Sequence, residues 1–586
     1  MDRPATLLGL VAILGLGAWP AQAGPRGGVT ALLVNGGFKA PKNYESHLVH
    51  LEQMRAALLG RGLSDDRIHA FISDGGDPRK DMVSQQGAGP LAWLLEGTPA
   101  RSLLPPTRSV DTTWDGPQQP ATTEALGAWF ADSSLRRGDT LLVYVTDHGY
   151  RDRDADPPEA GIWLWGEKLP PETFGQWLAA LEPGVRTVMV MSQCYSGAFA
   201  ELAWADGPPS GDVCGFFSVP ADRPAYGCYP DGRSRAIGHG FRFIDALAGA
   251  EDLPAAQGWV SLADRTPDVP LSTSDLYLAS LLEEADGVEA WLPGVTDWSE
   301  ADAIAAAFGL PQARSLADLD EARARLDEIG DRFGDSDERW ASLRQRVARD
   351  QLSVLVDDTP RWKSRIDDAS GREEKDALRA ALLVALEEAG EERGDWAVTM
   401  ALRERDEAAE ALVWRLKTRA AALDRMAAAM VRAAGEVMLA QEARRAPAAR
   451  GLRKLIACES AAIGRPAGAL PPLPEPYPSL DEEAEQVEAL IPSLLGIRFE
   501  PLPTREARRL DAPGAVRVKA VTEGSPAGIA GVRVDDVLTG IGGVTFQTPY
   551  AIQARVALAE RGAPVRLVGV RSGAAIELEL VLVARQ

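Results

Sequence analysis

Four apolar runs in the first half of the chain each break into a turn of small or polar residues. They are VTALLVNGG (29–37), IHAFISDGG (68–76), TLLVYVTDHG (140–149) and RTVMVMSQCYSG (186–197). Each run is too short for a globular helix and is rich in β-branched residues, so each reads as a strand buried on both faces. After the first, Leu48, Leu51, Met54 and Leu58 recur at helical spacing. A further short extended piece, GIWLWG, lies between the last two runs. Strands alternating with helices predict an α/β domain over residues 24–284, with a mostly parallel sheet flanked by helices on both faces. Reactive groups in such sheets gather at the carboxyl ends of strands. His148 and Cys194 both sit just past one.

The rest of the chain reads differently. Residues 76–120 are rich in Gly, Pro and Ser and predict a long surface insertion beside that edge, a candidate wall for a substrate cleft. Residues 285–464 shift to Ala, Glu, Arg and Leu, which predicts an α-helical region. Within it Leu416, Leu423, Met426, Met430 and Val437 follow an a/d-like spacing that fits a packed amphipathic helix before it fits a dimerising coil. Residues 465–480, with RPAGALPPLPEPYPS, predict a semi-rigid linker. Residues 481–586 read as a compact β-rich unit.

The first 23 residues pair Arg3 with an apolar run and Ala21–Gln22–Ala23, the pattern of a cleaved signal peptide. The mature protein is therefore expected outside the cytoplasm, secreted or periplasmic. No later segment is apolar enough to cross a bilayer, so no transmembrane anchor is expected after cleavage. A net charge of −23 and a pI near 4.8 exclude a nucleic-acid backbone as partner, because that affinity is supplied by Lys and Arg.

A thiol attacks a carbonyl slowly unless a base takes its proton or a positive group stabilises the thiolate. The chain has five histidines, and only His148 ends a buried strand within Thr146–Asp147–His148–Gly149. Cys194 ends another, 46 residues further on. Neighbouring parallel strands would bring both to one edge, within hydrogen-bond reach. Gly149, lacking a side chain, can approach closely and offer its N–H, with that of Cys194, to a developing oxyanion. If Cys194 is a working thiol, Cys214 and Cys228 are the natural candidates for a bridge, with Cys458 left over. This chemistry calls for no cofactor and no metal.

TLLVYVTDHG followed by RTVMVMSQCYSGAF resembles the two catalytic blocks of the caspase-like cysteine peptidase clan, and the Thr–Asp–His–Gly form resembles the legumain family most. ALLVNGG, GLSDDRIHAFISD and PAYGCYPD are similar to supporting segments of that family in the same order, so the resemblance spans residues 29 to 245. It implies a caspase-like fold, Cys194 as nucleophile, His148 as general base and acid, Gly149 as an oxyanion donor and Asn35 as the group that orients His148. Gln193 and Tyr195 depart from the family's small or acidic neighbours of the cysteine. In the implied specificity pocket Glu45 stands where the family has Arg, and Arg223 where it has Glu. Preference for Asn is therefore not carried over, and a pocket lined by Glu45 would favour Arg or Lys.

LLGIRFEPL and GAVRVKAVTEGSPAGIAGVRVDDVLTGIGG closely resemble a PDZ domain of the type attached to bacterial proteases. Leu495, Gly496 and Ile497 would then form a backbone nest for a terminal carboxylate, beside a strand edge that accepts an extended peptide. The expected partners are protein or peptide substrates and a C-terminal peptide ligand of the PDZ groove. The leading expectation is an exported cysteine endopeptidase with a PDZ module. The alternative is an inactive caspase-like scaffold that binds proteins through that groove.

Overall fold

The computed structural model describes residues 27–85, 93–95, 107–154, 159–205, 207–230, 237–285, 287–354, 359–392 and 396–582. Residues 1–23, which the sequence pattern marks as an expected signal peptide, lie outside them. The chain forms two compact units: residues 1–83, 109–322 and 421–477 make the first, and 84–108, 323–420 and 478–586 the second.

The first unit is built on a seven-stranded sheet. Its central strand, Thr140–Val145, is flanked on one side by Val29–Asn35, Ile68–Ile72 and Gln118–Gln119, and on the other by Arg186–Met191, Val213–Phe217 and Leu271–Ser272. All neighbours are parallel except the last pair. Every residue of Thr140–Val145 is buried, because helices cover both faces and leave no polar side to alternate with. One face packs Leu33, Tyr144, Val190 and Phe216 against helices Glu45–Gly60, His239–Gly249 and Leu253–Ala263. The other packs Leu32, Val143, Met189 and Phe217 against helices Thr123–Ala131 and Pro171–Ala179. Helix starts obey local chemistry: Thr122 and Asp252 each cap one, and Ser272 with Asp275 forms a capping box for Thr273–Glu283.

The expected Cys214–Cys228 bridge is not formed. Cys214 lies within the strand Val213–Phe217 and pairs with Cys458 of helix Ala446–Glu459, with Cα atoms 6.0 Å apart. Both are buried in the same hydrophobic layer. Cys228 belongs to the loops at the carboxyl edge of the sheet and keeps a free thiol, as does Cys194.

The Pro-rich segment behaves as a strap on the first unit. Its backbone bonds Arg61, Ala248 and Ala307, and the Trp259 indole donates to the Pro471 carbonyl at 3.0 Å. Buried Arg61 fixes the start of this strap by donating to the carbonyls of Ile463, Leu247 and Ala250 at 2.5 to 2.8 Å. The helical region is shared between the two units. Its longest helix, Trp396–Gln441, buries Leu423, Met426 and Met430 within the fold, as a plain amphipathic helix does.

In the second unit an antiparallel sheet runs Ile497–Pro501, Val516–Val521, Val537–Ile541, Pro564–Arg571, Ala574–Val581. Helix Ala551–Leu558 packs on it through Ile552 and Val556, over Val516, Val518, Leu538 and Phe546. Of the 76–120 insertion, Trp93–Leu95 is buried in this unit, where the Trp93 indole donates to Asp406 at 2.8 Å. The stretches 86–92 and 96–106 lie outside the described residues. The 107–120 portion contributes Arg108–Val110, which pairs with Met82–Ser84.

Candidate functional site

The strands that precede His148 and Cys194 are adjacent and parallel, with Val145 opposite Met191. Both residues therefore lie three positions beyond the sheet and emerge at one edge. Their turns touch through backbone. A Cβ built on Gly149 would lie 1.8 Å from the Cys194 carbonyl oxygen, so no larger residue fits this position without moving the Cys194 turn. Burial raises the Cys194 thiol, and the backbone groups of Ala225, Gly149 and Cys194 itself oppose that rise.

The sequence Cys–Tyr–Ser–Gly has a structural role for each member after the thiol. Tyr195 adopts a left-handed backbone, φ 60°, which is uncommon for a bulky residue and turns the strand directly into the 3-10 helix Ser196–Ala203. Its N–H donates to the Arg223 carbonyl at 2.8 Å. Ser196 bonds Ser218 and accepts from the Val219 N–H, tying the turn to the end of the next strand. Gly197 packs against Pro220 and Ala221 so closely that a Cβ there would come within 3.0 Å of backbone. Gln193 is fully buried, and its carbonyl accepts from Ser218.

Asp147 anchors the other turn. Its buried carboxylate accepts the N–H groups of Gly36, Gly37 (2.9 Å) and His148 (2.6 Å), stitching the end of the first strand to the histidine turn. Burial nevertheless pushes its acid up to about 8. No local pattern marks this anchoring role, although Asp147 belongs to the Thr–Asp–His–Gly motif.

His148 is oriented by a backbone carbonyl, and Asn35 does not serve this purpose. The His148 Nε2 donates to Lys42 O at 2.7 Å, so the imidazole presents an unprotonated Nδ1. Asn35 instead donates to Asn43 at 3.0 Å, and Asn43 donates to Ser73 and to the Asp81 carbonyl. Asn35 thus holds the loop that carries Lys42. The Tyr44 and His47 rings stand edge-on to His148, with centroids 5.4 and 5.2 Å away.

No hydrogen bond joins His148 to Cys194, in contrast to the expected reach. The thiol accepts from the Ala225 N–H at 3.2 Å. Burial raises the Cys194 thiol, with Asp268 adding to the rise, while burial lowers His148. Both groups are accordingly neutral near pH 7, a thiol beside a free base.

Charges of both signs act on them, Lys42 on His148 and Asp268 on Cys194. Glu45 is buried at the start of its helix, and its neighbour Ser46 exchanges bonds with Tyr229. Arg223 is ion-paired with Asp424. Asp268, which the sequence reading missed, is fully buried and accepts the N–H groups of Tyr226 (2.9 Å) and His239 (3.3 Å). Its loop is fixed by Arg425, whose buried guanidinium donates to the carbonyls of Ser261, Asp264, Thr266 and Asp268. No motif marks Asp268, because the contacts that place it come from a helix far along the chain. His239 and His50, both lowered to about 4 by burial, bond Ser192 with Gln257 and Thr146 respectively, so they are structural.

In the second unit Gly496 has φ +78°, and a Cβ there would lie 2.2 Å from that of Ser525. The carbonyls of Leu495 and Gly496 accept from Ala527 and Thr522. With Ile497, these residues open a cavity of about 310 Å³ between the strand Ile497–Pro501 and helix Ala551–Leu558. Leu343 and Arg346 of helix Ser336–Val354 form its other wall, and Arg346 bonds Gln553 at 2.5 Å.

Among the described residues no helix is long and apolar enough to cross a membrane. No curated protein matches the sequence. Solved structures with similarity include the HtrA-type protease AlgW with a decapeptide, at 19% identity and TM-score 0.15, covering 22% of this chain and 47% of that one. The HtrA3 PDZ domain bound to a phage-derived ligand (FGRWV) gives 18% identity and TM-score 0.14, covering 16% of this chain and 86% of that domain. The serine endoprotease from Yersinia pestis gives 18% and 0.14, covering 22% and 49%. The chain spans about half the length of these proteases. The family model described as PDZ domain matches residues 517–571, so this part of the chain is a PDZ domain.

Proposed function

We propose that the first unit is a cysteine endopeptidase of the caspase-like type and that the PDZ domain presents substrate or partner peptides. The observation that carries this reading is the backbone contact of Gly149 with Cys194 just past the ends of two in-register parallel strands. As the sulfur attacks a peptide carbonyl, His148 Nδ1 takes the thiol proton and the Gly149 and Cys194 N–H groups receive the negative oxygen. His148 returns the proton to the leaving amine, and the thioester is then hydrolysed by a water that His148 deprotonates. A neutral thiol and a neutral imidazole suit this sequence, since the proton moves only when substrate is in place.

With Arg223 paired to Asp424 and Glu45 in the pocket position, cleavage after Arg or Lys is the expected preference. The Cys214–Cys458 disulfide supports an oxidising compartment and hence export. A positional-scanning peptide library tests the whole reading. Turnover with a basic preference, lost in Cys194→Ala, is expected; peptide binding without turnover would select a non-catalytic scaffold instead.

A further inference from the structure

His47, His148 and Cys228 place one ligand atom each within 4.8 Å of one another. His47 is 1% exposed, and its Nε2 has no hydrogen-bond partner. Its Nδ1 lies 3.3 Å from Thr146 Oγ1, whose hydroxyl also meets His50 Nδ1 at 3.0 Å. When His47 Nδ1–H donates to Thr146 and Thr146 donates to His50, every hydrogen of this chain is used and His47 Nε2 is left with a bare lone pair. His148 is arranged in the same way, with Nε2–H on the Lys42 carbonyl. Two imidazoles whose far nitrogens are held by oxygen partners, beside a free thiol, are the arrangement in which protein zinc ligands are oriented. A buried unpartnered imidazole nitrogen otherwise costs free energy without return.

We propose that His47, His148 and Cys228 bind a zinc ion. Nitrogen and thiolate donors select zinc over magnesium or calcium, and three protein ligands leave a fourth position open. Binding releases the Cys228 proton as the sulfur–zinc bond forms, so affinity rises with pH. The ion takes the lone pair of His148 that would receive the Cys194 proton. On the peptidase reading, zinc therefore holds the enzyme in a resting state, whereas binding itself does not depend on that reading.

The test separates the two. In the full chain carrying Cys194→Ser, Cys228 is the remaining free thiol, because Cys214 and Cys458 are bridged. Cobalt(II) added to this chain is expected to give a thiolate-to-metal charge-transfer band, and calorimetry with zinc to give one ion per chain. His47→Gln is expected to weaken zinc binding by at least roughly 100-fold. No band, or binding that His47→Gln leaves unchanged, overturns the site. In the unaltered chain a chelator is expected to raise peptide hydrolysis, and zinc to suppress it at the stoichiometry found by calorimetry. Zinc bound at this site with hydrolysis undiminished overturns the resting state alone.

Discussion

The edge of the parallel sheet and the PDZ groove are opposite kinds of surface. The sheet edge is assembled from residues 36–47, 146–149, 192–197, 223–229 and 268, held by buried hydrogen bonds through Asp147, Asn43 and Ser196. The PDZ groove is built from one strand, two helices and one left-handed glycine, and is walled mainly by apolar side chains. Chemistry demands polar groups fixed in a buried setting, and such groups stay fixed only if every neighbour is paired. Peptide binding by strand addition draws on backbone hydrogen bonds and shallow apolar pockets. Perturbing one region should therefore leave the other intact.

The largest separation is expected from the dyad. Cys194→Ala should abolish hydrolysis of a library-selected peptide, and His148→Ala should cost roughly 10²–10⁴-fold, while anisotropy of a labelled C-terminal peptide on the PDZ groove stays unchanged. Hydrolysis persisting in Cys194→Ala would end the cysteine reading. Next comes Gly149→Ala, whose Cβ must displace the Cys194 carbonyl. Moving the oxyanion donors out of place in this way should lower kcat by up to about 10²–10³-fold, with the circular dichroism spectrum preserved.

Cys458→Ser probes the scaffold beneath the sheet edge. It should destabilise the first unit by roughly 2–5 kcal/mol, seen as an earlier denaturant midpoint, without altering PDZ affinity. Gly496→Ala is the reciprocal change. Its strained φ and its collision with Ser525 should weaken peptide binding about tenfold and leave turnover of short peptides alone.

The smallest effect is in pH. Because burial lowers His148, the base is lost to protonation only below pH 6.5, so the acid limb of kcat/KM should have its midpoint under that value. Because burial raises Cys194, alkylation by iodoacetamide should accelerate up to and beyond pH 9, with no plateau near neutrality. A plateau there would mean a preformed thiolate.

Particular residues show what a linear reading can reach. The strands ending at His148 and Cys194 were legible because an apolar run between turn residues is a local signal, and their adjacency followed from the parallel crossover. Gly149 was legible for the same reason. Asn35 bonds Asn43 and not His148, since a side chain at a strand end can reach several loops and only packing selects among them. Cys214 was paired with the nearer cysteine along the chain, whereas the sheet face it occupies is covered by the helix of Cys458, 244 positions away. Asp268 and His47 were passed over because neither belongs to a motif.

The sequence by itself determined the α/β alternation, the placement of His148 and Cys194 just past strand ends, and the PDZ domain, each encoded in periodicity or turn chemistry within a short span. Only the tertiary structure decided which cysteines bond, which carbonyl holds His148, and how His47 and Cys228 meet it. Those depend on buried hydrogen bonds and contacts between segments far apart in the chain, and no local pattern of residues records them.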